Sequence, residues 1–148
     1  MTSRYRIDEG SIDLPEGFED RSTNIFVFGD PDRSPLNLNI ARDTLDVGET
    51  LPAYVDRQIR KLEKILRGYR LQHRQAARLG SGDHVSEGEQ IDATRKEGQQ
   101  TIHQRQAAFL CAPRRALIFS GTSIRAFTGE QNALWSTWLA SYQSSSAD

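Results

Sequence analysis

The chain has 148 residues, with 19 Lys+Arg against 20 Asp+Glu for a formal net charge of -1. That length fits one domain able to bury a real core, and the even charge balance offers no basic surface for nucleic acid or an acidic membrane. The single cysteine, Cys111, excludes an internal disulfide and suits a reducing compartment; no apolar run approaches the ~20 residues of a membrane span, and no signal peptide opens the chain.

Residues 5–14 alternate apolar and polar positions, as a half-buried strand does, and break at the turn Leu14-Pro15-Glu16-Gly17. A second strand is expected at 24–28, where Ile25 to Phe28 is apolar on both faces. Such a strand either lies under structure on both sides or offers one face to a partner. The tract Gly29-Asp30-Pro31-Asp32-Arg33-Ser34-Pro35 reads as a turn, followed by a strand at 36–42. On that strand Leu36, Leu38 and Ile40 make an apolar face, and Asn37, Asn39 and Ala41 take the other.

A helix is predicted over 51–67, with Thr50 as its N-cap, Pro52 in its first turn and Gly68 at its C-terminal end. Leu51, Tyr54, Val55, Ile59, Leu62, Ile65 and Leu66 form one apolar stripe, opposite Asp56, Arg57, Arg60, Lys61, Glu63 and Lys64. Gln58 breaks the pattern, because at ~100° per residue it falls near the middle of the stripe. A buried, unpaired amide costs about 1–3 kcal/mol. Gln58 therefore either bonds a strand-edge backbone group within the core or lines a ligand-facing surface.

Strands resume near 69–79, 89–97, 99–110 and 115–122, with Gly80-Ser81-Gly82-Asp83 and Glu97-Gly98 as turns. On the strand 99–110, Gln100, Ile102, Gln104, Gln106, Ala108 and Leu110 share a face. Side-chain amides supply donors and acceptors without charge, so these positions are either solvated or able to bond polar groups of a mostly apolar peptide. Asp8, Glu9, Glu87 and Glu89 are read as solvated charges at strand ends or turns. A last helix is predicted over 129–142, opened by a capping box of Thr128 and Gln131. Its stripe of Leu134, Trp135, Trp138, Leu139 and Tyr142 is assigned to the core, and residues 143–148 to a flexible tail.

These elements describe an α+β fold, a largely antiparallel sheet flanked by two helices in a single domain over 4–142. Chemistry-bearing constellations are missing. His73, His84 and His103 lack metal-ligand spacing, no second cysteine joins Cys111, and neither a phosphate-binding glycine loop nor a nucleophile elbow is present. The expectation is a protein without enzymatic activity, metal or cofactor.

Several short motifs, in order, carry a resemblance: Tyr5-Arg6, the Leu14-Pro15 turn, Ser22-Thr23-Asn24-Ile25-Phe26, Ile40-Ala41-Arg42-Asp43, Tyr54-Val55-Asp56-Arg57-Gln58, Leu66-Arg67-Gly68-Tyr69 and Arg105-Gln106. Through them the chain resembles the DUF1795 (DcrB-like) group, and within it the Eag (effector-associated gene) chaperones of bacterial type VI secretion. The resemblance implies a Mog1/PsbP-like fold and a cytoplasmic homodimer. It implies a chaperone that shields the N-terminal transmembrane helices of a secreted effector of the PAAR/Rhs type before loading on the secretion spike, with no insertion into the membrane itself. It also implies a client-binding groove in which Ile25 and Leu66 stand at apolar positions and Gln58 and Gln106 at polar ones. Thr23 and Asn39 stand in that groove where apolar residues are expected, which makes it wetter. The alternative is a Mog1-like, non-enzymatic scaffold that binds a soluble partner protein.

Overall fold

The computed structural model describes residues 3–29 and 35–144. Asp30 to Ser34 of the expected turn and Ser145 to Asp148 of the expected tail lie outside the described residues. The elements run β1 Ser3–Ile7, β2 Gly10–Leu14, β3 Asn24–Phe26, β4 Asn37–Thr44, α1 Leu51–Ile65, β5 Arg70–Leu79, β6 Ser86–Glu97, β7 Gln100–Ala112, β8 Arg115–Ser123 and α2 Gly129–Ala140. The stretch 5–14 is thus two strands turning at Asp8-Glu9, and they form a two-stranded sheet of their own. The other strands form a six-stranded sheet in the order β3-β4-β8-β7-β6-β5, antiparallel at each pairing.

The two helices cover opposite faces of this sheet. Tyr54, Val55 and Ile59 of α1 pack with Leu45, Ile91, Ala108 and Ala116. Trp135 and Leu139 of α2 pack with Ala77, Leu79, Ala107, Phe109, Leu117 and Phe119. Ala107 and Ala108, like Ala116 and Leu117, therefore serve opposite cores, as the two-residue period of a strand requires. Small residues in the centre of the sheet let each helix approach its backbone closely.

Both helix starts follow from the sequence. Thr50 Oγ1 accepts from the Ala53 amide at 3.3 Å, and Pro52 occupies the first turn of α1. At α2, Thr128 Oγ1 accepts from the Gln131 amide at 3.1 Å while the Thr128 amide donates to Gln131 Oε1 at 3.0 Å, a complete capping box. The C-terminal ends come earlier than expected. Leu66 already has extended backbone and caps α1, and Arg67 turns its carbonyl to the Lys96 amide at 2.8 Å. Gly68 follows at φ 66°, where a Cβ would stand 2.8 Å from Lys96 Cγ.

Three further expectations are corrected. Leu134 is 49% exposed, because Trp135, Trp138, Leu139 and Tyr142 recur at the i, i+3, i+4, i+7 spacing of the covered face. Helix α2 ends at Ala140, so Tyr142 belongs to the turn after it. Glu89 lies within β6 rather than at a strand end and is half-buried against Arg74 Nε at 2.6 Å, while Glu87, beside the start of β6, is exposed as expected. Gly88, within β6, is a packing position. A Cβ there would lie 2.1 Å from the Ala108 carbonyl oxygen and 2.5 Å from Phe109 Cδ1.

Candidate functional site

Helix α1 packs chiefly over β6 and β7 and meets β8 at Ala116 and Ile118, with most of β4 and all of β3 beyond it on the same face of the sheet. The step between helix and bare sheet is a groove of about 300 Å³. Tyr54, Val55, Gln58 and Leu62 make its helical wall. Its floor comprises Gln104, Gln106 and Ala108 of β7, Ile118, Ser120 and Thr122 of β8, and Asn39, Ala41 and Asp43 of β4. Ladder register explains the grouping: Ile25 lies opposite Asn39, Asn39 opposite Ser120, and Ser120 opposite Gln106. With strands ~4.8 Å apart, that row crosses about 14 Å of floor.

The floor is polar without being charged along most of its length. The side chains of Asn39, Gln58, Gln106, Ser120 and Thr122 make no hydrogen bond to any other described residue, and Ser120 is only 7% exposed. Gln104 is the exception, with its Oε1 accepting from Arg95 Nε at 2.9 Å. Among the described residues the buried polar atoms without a partner are Asn37 Oδ1 and the Tyr69 hydroxyl, neither of them on the groove lining, so these amides and hydroxyls stay open to water or to a ligand. They fit a ligand whose own polar groups are distributed along an otherwise apolar body.

One end of the groove is acidic. Asp43 Oδ2 accepts from the Tyr54 hydroxyl at 2.7 Å, and its Oδ1 accepts from the Thr44 amide at 2.8 Å. Burial, then the bond to Asp43 and that carboxylate's charge, push the Tyr54 phenol far above its usual range. Tyr54 is therefore a fixed neutral donor rather than a base.

The residues singled out in the sequence divide into two groups. Asn39, Gln58 and Gln106 come together on the groove lining. Ile25 extends their row to the edge strand, 72% exposed. Leu66 caps α1 beyond the last lining residue of the helix, half-buried, and Thr23 is exposed ahead of β3. Ser120, Thr122, Asp43 and Tyr54 were not singled out as groove residues. The alternation Ser120-Gly121-Thr122 after the apolar run Ala116 to Phe119 was the available signal.

A second hollow of about 560 Å³ lies on the opposite face, where Phe26, Val27, Phe28, Leu36 and Leu38 meet Leu134. It is mostly apolar, with Thr128, Glu130 and Gln131 of the α2 start on its rim. Among the described residues no group of three His, Cys, Asp or Glu side chains lies close enough to hold a metal ion, and no helix is long and apolar enough to cross a membrane.

A model of the DcrB family matches residues 9–141. Among solved structures, PA94 from Pseudomonas aeruginosa, a protein of unknown function, is similar with a TM-score of 0.74 at 23% sequence identity. The likeness covers 97% of this chain and 96% of that one, and it bears on the fold. No curated protein matches the chain.

Proposed function

The chain belongs to the DcrB family, and from that premise we propose that it is a non-enzymatic binding protein acting as an Eag-type chaperone. In this reading it works in the bacterial cytoplasm as a homodimer. It shields the N-terminal transmembrane helices of a type VI secretion effector of the PAAR/Rhs type until that effector is loaded on the secretion spike. The supporting observation is the groove beside α1, where Asn39, Gln58, Gln106, Ser120 and Thr122 present polar groups on a floor that is uncharged along most of its length and acidic at the Asp43 end.

An exposed transmembrane helix in water carries a cost of about 25 cal/mol per Å² of apolar surface. Covering that surface removes the drive to aggregate or insert. Small residues on such helices let another backbone or side chain approach closely. Amides such as Gln58 and Gln106 then have client carbonyl and amide groups within reach, while Ile25, Ile118 and Leu62 supply apolar contact. Release proceeds by handover to the spike.

The wet character of the floor favours one rival, a scaffold for a soluble partner protein, because Asn39, Ser120 and Thr122 all stand where an apolar client would be met by apolar groups. Co-expression with an effector's N-terminal transmembrane region, followed by affinity pull-down and size exclusion with light scattering, separates the two. A soluble complex that is lost in Ile25→Asp or in the Gln58→Ala/Gln106→Ala pair, with melting temperatures unchanged, is the expected result. Undiminished co-purification in both variants refutes the groove assignment. An effector fragment that is soluble without this protein favours the scaffold.

A further inference from the structure

We propose that Asp43 sets the direction in which a client lies in the groove, by receiving a lysine or arginine that flanks the client's apolar segment; the inference rests on the shielding role proposed above. Asp43 is four residues from Asn39 along β4, so its carboxylate stands about 13 Å from the amide row, at the end of the groove where α1 begins.

The charges around it are unevenly matched. Glu89, the other acid on the lining, is paired with Arg74 Nε at 2.6 Å. On the surface of α1, Arg57 is held by Glu49 at 2.8 Å and Asp46 at 3.5 Å. Arg42, directly before Asp43 and also on the lining, gives its guanidinium to Asn24 Oδ1 at 2.6 Å and the Ile40 carbonyl at 3.2 Å. Each nearby cation is thus engaged elsewhere, and Asp43 forms no ion pair with any described residue. It is half-buried and accepts two neutral hydrogen bonds, from Tyr54 and Thr44. A carboxylate offers about four acceptor positions, so two remain for an incoming cation. At the opposite end no acid lines the groove, and Arg95, which donates to Gln104 of the lining, is itself paired with Glu97 at 2.9 Å. The groove therefore has one acidic end, and an apolar helix with a cationic flank at one of its ends fits it in one direction only.

The test uses the full chain and three synthetic helical peptides of twenty Leu and Ala residues in nonionic detergent. One carries Lys-Lys at its amino end, one carries it at its carboxyl end, and one carries no charge. The wild-type protein is expected to prefer one lysine placement about ten-fold, the effect of a single charged hydrogen bond. Asp43→Asn keeps an acceptor for the Tyr54 hydroxyl and is expected to bind both lysine peptides alike, with its fold checked by thermal melting. Raising ionic strength on the wild-type protein must shrink the preference, a readout that needs no variant. Equal wild-type affinity for the two placements, or a preference that survives Asp43→Asn, overturns the assignment of direction to Asp43. Failure of all three peptides to bind overturns the shielding role itself, and this inference with it.

Discussion

The join between α2 and the sheet turns on one buried hydrogen bond, and its energetics are measurable. Trp135 Nε1 donates to Gln90 Oε1 at 2.9 Å, with both residues buried. Trp135→Phe leaves the Gln90 carbonyl without its donor, which costs about 1–3 kcal/mol, and the smaller ring adds a packing loss on the order of 1 kcal/mol. Gln90→Leu leaves the indole N–H orphaned instead, again about 1–3 kcal/mol. Asp92 retains Arg105 at 2.5 Å in either variant, so its charge is not set free. The double variant has neither orphan. It is expected to be more stable than the sum of the singles by about 1–3 kcal/mol, or some 2–5 °C of melting temperature per kcal/mol. Urea unfolding followed by far-ultraviolet circular dichroism, at unchanged m, gives the cycle. Additivity within about 0.5 kcal/mol would refute the premise that this bond is desolvated.

Two other expectations concern stability. Gly88→Ala places a methyl 2.1 Å from the Ala108 carbonyl oxygen, and because backbone yields less readily than a side chain the loss should be about 3 kcal/mol by calorimetry; a loss below about 1 kcal/mol contradicts the packing described. Arg57, donating to Glu49, holds that carboxyl at about 2 against an ordinary 4.5, helped by the Asp46 amide. A folded-state pKa below the unfolded one contributes stability that is whole above about 4.5 and is lost as pH falls toward about 2. Melting curves of Glu49→Gln should accordingly lie below the wild type at neutral pH and converge on it in acid. A constant gap down to the acid limit rules this linkage out.

Helix α1 was legible because its start signals, Thr50 and Pro52, and its apolar stripe agree with each other. Gln58 was visible as the one residue violating that stripe, and the alternation of Gln104 and Gln106 assigned them a common face. Sequence could not supply the register that sets Asn39 beside Ser120 and Ser120 beside Gln106, since pairing of β4 with β8 is a property of the whole chain. For the same reason Ser120 and Thr122 passed as ordinary strand residues. The apolar run at Ile25 fitted a central or an edge strand equally; its exposure follows from β3 ending the sheet. Glu89 reads as a strand end because the expected strand begins at 89, whereas β6 starts at Ser86 and runs through Gly88, which packs on the Phe109 ring.

The strand order has one more consequence. Strands β5 to β8 follow one another as neighbours, so each of their pairings closes a short loop. The β4–β8 ladder is different: it joins Thr44 to Arg115 and Asn37 to Thr122, positions 71 and 85 apart by subtraction. Its closure entropy exceeds that of any hairpin in the meander. The groove floor is drawn from both of those strands, so it exists only once these distant parts of the chain have met. A molecule held in the groove spans this seam and, by mass action, draws the whole sheet toward its completed form.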